Sequence, residues 1–223
     1  MNRYLIGVVT AIAAVSLVSC GGPEERKAKY LLRAQDYFQE GNYPKARVAL
    51  RNVLKIDPKD AEAYFLYAQV EEKEKNWRNA VAGYQQVVEL NPAHDRAWIK
   101  LGKFFLEARA IERVDQAADR VLALHSEHVG ARSLKIAALA VGGRVDEAIA
   151  QAEQLRTGAS ADVDAALLLA SLYASRGRTA DAVPVIRQAL DAHLDSVELL
   201  GALATIYVRA GNPAEADRAF QRV

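Results

Sequence analysis

Four histidines and one cysteine are the side chains of this 223-residue sequence best suited to metal or nucleophilic chemistry, and their spacing argues against both. His125 and His128 stand three apart with Glu127 between them. A zinc-type site needs three or four ligands, and this cluster does not complete one. His94 falls at the preceding junction between helices and His193 lies apart, so all four are expected to be solvated loop histidines, with no metal and no other cofactor. No serine stands in a nucleophile-elbow pattern. Gly142-Gly143 lacks the rest of a phosphate-binding loop and reads as a helix turn. The acidic pairs Glu24-Glu25 and Glu71-Glu72 are expected on solvated faces, the second within the mixed-charge run Glu71-Glu72-Lys73-Glu74-Lys75. No catalytic residue is assigned, and the chain is expected not to be an enzyme. Cys20 is the whole thiol inventory, which excludes an intrachain disulfide.

What the sequence offers in place of a catalytic cluster is repetition. Ala46, Ala80, Val114, Ala148, Ala182 and Ala216 follow one another at intervals of 34 residues. Three further columns keep the same phase: Val53, Val87, Val121, Leu155, Ala189, Val223; Ala34, Ala68, Gly102, Ile136, Ala170, Ala204; and Tyr37, Glu71, Phe105, Leu139, Tyr173, Tyr207. A period near 34 belongs to stacked helix pairs. The fold class is therefore all-α, an α-solenoid of antiparallel helix pairs, and a right-handed α-solenoid is what the family resemblance given below implies. Hydrophobic residues make up 51% but aromatics only 7%, which suits thin, close-packed helices. A net charge of +1 with 26% charged residues is too balanced for a nucleic-acid footprint, and no nucleic-acid partner is expected.

Residues 27–60 show how one repeat is built. Tyr30, Leu31, Ala34, Tyr37 and Phe38 recur at helical spacing. Gly41-Asn42 then breaks the chain, and Pro44 occupies a first helical turn, where its missing N–H costs nothing. A second apolar stripe runs from Ala46 to Ile56 and ends at Asp57-Pro58. The array is expected over 27–223 as units 27–60, 61–94, 95–128, 129–162, 163–196 and 197–223, the last cut short inside its second helix, which suggests a longer protein. Gly143, Gly177 and Gly211 stand at the turn of Gly41, but Arg109 replaces that glycine in repeat three. Repeats three and four are expected to pack most loosely. Pro184 should remove one backbone hydrogen bond from its helix and bend it slightly.

Ahead of the array lies an address. Met1–Arg3 carries one positive charge, Tyr4 to Val18 are apolar or small, and Ser19-Cys20-Gly21-Gly22-Pro23 follows. This is the pattern of a secretory signal peptide, too short for the roughly 17–25 residues of a spanning helix. Leu17-Val18-Ser19-Cys20 resembles the lipobox of bacterial lipoproteins, which implies cleavage after residue 19 and acylation of Cys20. Residues 1–19 are then a signal peptide and 20–26 a lipidated tether. With Gly21 after the cysteine, the resemblance implies the periplasmic face of the outer membrane.

The repeat itself resembles the tetratricopeptide repeat, most closely at residues 95–102 with Trp98, Leu101 and Gly102. That resemblance implies a concave groove lined by the first helix of each pair and open to partner proteins or peptides. Its groove positions are Leu31 and Gln35, Phe65 and Gln69, Ile99 and Lys103, Leu167 and Ser171. Leu31 and Gln35 stand where the carboxylate clamp of chaperone adaptors needs lysine and asparagine, so that clamp is absent. The apolar ladder Leu31, Phe65, Ile99, Leu167 has two readings: anchors for a bound peptide, or packing against the neighbouring repeat. The functional expectation is a lipid-anchored, non-catalytic scaffold for an envelope, secretion or exopolysaccharide complex. Residues 46–64 resemble the array lipoproteins of exosortase-linked (PEP-CTERM) sorting. Type IV pilus pilotins and barrel-assembly lipoproteins are alternatives in the same class, and the N-terminal part of a larger secretion channel or enzyme is one in another.

Overall fold

A computed structural model describes residues 22–158 and 162–221. The expected signal peptide, Cys20 and Val223 lie outside the described residues, which form twelve α-helices and no strand. The chain divides into two units, residues 1–58 and 59–223.

The first unit is one helix hairpin, α1 (Pro23–Gln39) against α2 (Tyr43–Ile56). Helix α1 begins at Pro23, four residues before the expected array, so residues 23–26 of the expected tether are helical. The reason is local: Pro23 sits in the first turn with Glu24 and Glu25 beside it, and acidic groups there complement the partial positive charge of a helix N-terminus. Ala34, Ala46, Leu50 and Val53 close the hairpin, all fully buried.

The second unit is a series of five such hairpins: α3 (Ala61–Lys73) with α4 (Trp77–Leu90), α5 (Asp95–Glu107) with α6 (Ile111–Leu122), α7 (Val129–Val141) with α8 (Val145–Gly158), α9 (Val163–Ser175) with α10 (Thr179–Ala192), and α11 (Val197–Arg209) with α12 (Pro213–Phe220). Each first helix also packs on the second helix of the preceding pair within the unit. The small-residue columns face inward at every described position, as helices crossing this closely require. On α4, a Cβ added to Gly83 would meet the Ala68 Cβ on α3 at 2.9 Å.

One turn recurs six times. The residues at positions 41, 75, 109, 143, 177 and 211 all have positive φ, including Lys75 (61°) and Arg109 (55°). The following N–H donates in each case to the carbonyl of the fourth column: Asn42 to Tyr37, Asn76 to Glu71, Ala110 to Phe105, Arg144 to Leu139, Arg178 to Tyr173, Asn212 to Tyr207. This satisfies a helix-end carbonyl that would otherwise lack a partner. Pro184 is accommodated inside α10 with the helix continuing on both sides.

A second recurring device caps the first helices. Asp60, His94, His128, Asp162 and Ser196, again 34 apart, each accept the backbone N–H three residues on. His94 and His128 are therefore structural caps through Nδ1 and not solvated loop histidines, which places the ring proton on Nε2. His94 Nε2 lies 3.4 Å from Glu62, and the His94 ring stacks on Phe65 at 4.7 Å. Among the described residues no group of three or more ligating side chains converges, and no helix is long and apolar enough to cross a membrane.

A candidate protein-binding groove

The first helices of the second unit pack side by side, α5 on α7, α7 on α9 and α9 on α11. A cavity of about 360 Å³ opens on them, lined among others by Phe65, Arg96, Ile99, Lys103, Val129 and Asp164. Three of these were legible as groove positions. Ile99 is half-buried and Lys103 exposed. Phe65 is only 3% exposed, and packing claims most of it. Its ring is covered by Tyr84 at 5.5 Å, by His94 and by the Arg96 guanidinium at 4.7 Å, so it walls the cavity without standing free in it.

The remaining expected positions are more dispersed. Gln69 is half-buried and outside this cavity's lining. Leu167 is half-buried against the core of the later repeats. Ser171 is exposed and donates to its own helix at Leu168 O, 2.8 Å away. Leu31 and Gln35 lie on α1 in the first unit, half-buried and exposed respectively. Arg96, Val129 and Asp164 went unrecognised. A signal existed: Arg96 precedes Ile99 by three residues and Asp164 precedes Leu167 by three, one helical turn along the same face.

The charges around the cavity are largely committed to one another. Lys100 Nζ lies 2.8 Å from Glu72, which also accepts the Tyr84 hydroxyl at 2.6 Å. Burial first, then that carboxylate, pushes the Tyr84 hydroxyl well above the usual tyrosine range. One Asp162 oxygen is taken by the cap of α9. Lys103 Nζ reaches Asp164 at 3.1 Å, joining α5 to α9. Both of these side chains are about half exposed (51% and 55%), so the pair contributes at most about 1 kcal/mol and is readily exchanged.

Near the end of α3 lies a carboxylate that the charge run places on a solvated face. Glu71 is 1% exposed, and its carboxylate accepts the side-chain amides of Asn76 (3.0 Å) and Asn79 (3.2 Å). It holds the inward register that aromatic residues fill in neighbouring repeats, and a buried carboxylate requires such donors. The adjacent Glu72 is half-buried and bonded as described above.

Comparison with known proteins gives this geometry a family. Profiles described as TPR repeat and Tetratricopeptide repeat match residues 34–73, 62–94 and 167–223. The type IV pilus assembly protein PilF of Pseudomonas aeruginosa is 30% identical over 118 residues, which cover 53% of this chain and 46% of that protein. The chain thus matches about half the length of this curated relative. Among solved structures, PilW, described as a widely conserved type IV pilus biogenesis factor, superposes with a TM-score of 0.67 at 18% identity, over 88% of this chain and 91% of PilW. A thermophilic TPR protein of Thermus thermophilus gives 0.67 at 18% identity, over 82% and 99% of the two chains. With its 34-residue period, its recurring turn and these matches, the chain belongs to the tetratricopeptide-repeat proteins, an all-α solenoid fold.

Proposed function

We propose that this chain is a non-catalytic scaffold that captures a partner protein in the groove of its second unit and is held in the bacterial cell envelope by lipid on Cys20. The observation that carries the first part is the cavity over α3, α5, α7 and α9, with half-buried Ile99 on its floor and exchangeable charges at its rim. Similarity to PilF favours assembly of a type IV pilus, or of an envelope complex built like one, over the exosortase-linked setting suggested by residues 46–64. The lipobox-like Leu17-Val18-Ser19-Cys20 supports the anchor, at the periplasmic face of the outer membrane. Residues 1–19 are proposed to be removed and 27–223 to act as the interaction array.

A photo-crosslinking residue placed at Lys103 tests the groove, with one at exposed Arg120 on α6 as the control. The Lys103 position should yield a discrete crosslinked partner in intact cells and the Arg120 position none. Equal yields from the two would remove the groove from the account. Cys20→Ala should move the chain from the membrane fraction to the soluble one, and unchanged membrane retention would remove the lipid.

A further inference from the structure

The charges around the cavity leave one imbalance. The other two cations on its rim each have a carboxylate, Lys100 that of Glu72 and Lys103 that of Asp164, while Asp162 accepts the N–H of Ala165. Arg96 pairs with no carboxylate among the described residues. Its guanidinium lies over the Phe65 ring, 4.7 Å from the centroid, a cation–π contact. A guanidinium held over a ring still has N–H groups with which to donate to a carboxylate. Three residues on, Ile99 supplies the apolar floor, and Lys103 follows seven residues on. Arg96, Ile99 and Lys103 therefore form a stripe along one face of α5, about 10.5 Å from end to end by helical rise.

We infer that the groove's partner segment is acidic and aliphatic: an internal stretch of polypeptide that seats a Leu, Ile or Val side chain on Ile99 and Val129 and sets a side-chain carboxylate on Arg96. A second carboxylate then takes Lys103 from Asp164, which is possible because that pair is half exposed. The inference rests on the groove reading and adds to it the chemistry of what is bound. A carboxylate on a guanidinium fork makes two parallel, charge-assisted hydrogen bonds, so Arg96 fixes register as well as sign.

The test uses the full chain and three fluorescent nonapeptides, blocked at both ends so that no chain terminus contributes. One has a central leucine flanked by glutamates, one replaces the glutamates with lysines, and one replaces them with serines. The glutamate peptide should bind tightest and weaken with added salt. Arg96→Ala should lower its affinity about tenfold, the scale of one charge-assisted contact, and Arg96→Glu should transfer preference to the lysine peptide. Circular dichroism melts of each variant establish that the fold persists. If the lysine or serine peptide binds best and Ile99→Asp abolishes that binding, the groove stands and the acidic assignment falls. If no peptide binds and photo-crosslinking at Lys103 also fails, both fall.

Discussion

Replacing Lys75 and Arg109 by glycine should stabilise the protein. Both occupy the turn position where Gly41, Gly143, Gly177 and Gly211 sit, and both have the same left-handed backbone, with φ of 61° and 55°. A residue with a Cβ loses roughly 1–2 kcal/mol in that conformation, whereas glycine loses about 0.5–1 kcal/mol more chain entropy on folding. The difference favours glycine by about 0.5–1 kcal/mol per site. At Arg109 part of this is offset, because its guanidinium donates to Val141 O at 3.3 Å across an exposed surface. Lys75→Gly should therefore gain the more, and the double variant less than twice that, about 1 kcal/mol in all. Urea unfolding followed by circular dichroism reads this as a higher midpoint at unchanged slope. The reciprocal change, Gly177→Lys, should lower the midpoint by a similar amount. A lower midpoint for Lys75→Gly, or no loss for Gly177→Lys, would refute the claim that one turn geometry is imposed at all six positions.

Three further outcomes follow from the packing, the caps and the tyrosine–carboxylate pair. Gly83→Ala should destabilise by about 1 kcal/mol or more, since the new Cβ presses on both Cβ and Cα of Ala68. Gly102→Ala should cost less, because there the obstacle is the movable end of Leu134; thermal melts that rank the two the other way would contradict this. His128→Ala should lose about 1 kcal/mol of stability by removing an N-cap, and His128→Asp should restore it; equal melting temperatures for the two would show that the cap contributes nothing. The folded state retains the Tyr84 proton that the unfolded chain gives up near pH 10, so this group's contribution is full below about pH 10 and is lost as pH rises beyond it. Tyr84→Phe should flatten that alkaline decline, and an identical decline in the variant would exclude Tyr84 as its source.

Much of the molecule was legible because its determinants are local or one repeat away. The columns beginning at Ala46 and Ala34 predicted inward faces, and every described member is buried. Glycine at 41, 143, 177 and 211 marked turns, yet Lys75 went unnoticed because its side chain carries no sign of the backbone it adopts. The histidine caps were missed for a related reason: a short polar residue before a helix signals a cap more plainly than an imidazole does. Glu71 was misplaced because the charges flanking it in sequence are solvated while its own register is not. At the groove, helical spacing gave Ile99 and Lys103 but could not show that Phe65 would be sealed beneath Tyr84, His94 and Arg96.

By itself the amino-acid order determined the helix pairs, their 34-residue period and the small side chains at each crossing, because these depend on helical periodicity and on contacts between adjacent elements. Only the tertiary structure decided which charges meet. Lys103 and Asp164 are 61 residues apart and pair because α5, α7 and α9 stack side by side. Arg96 is left without a carboxylate for the same reason: the stacking assigns the nearby acids to other partners. Such pairings depend on where whole helices come to rest, and no periodicity in the chain encodes that.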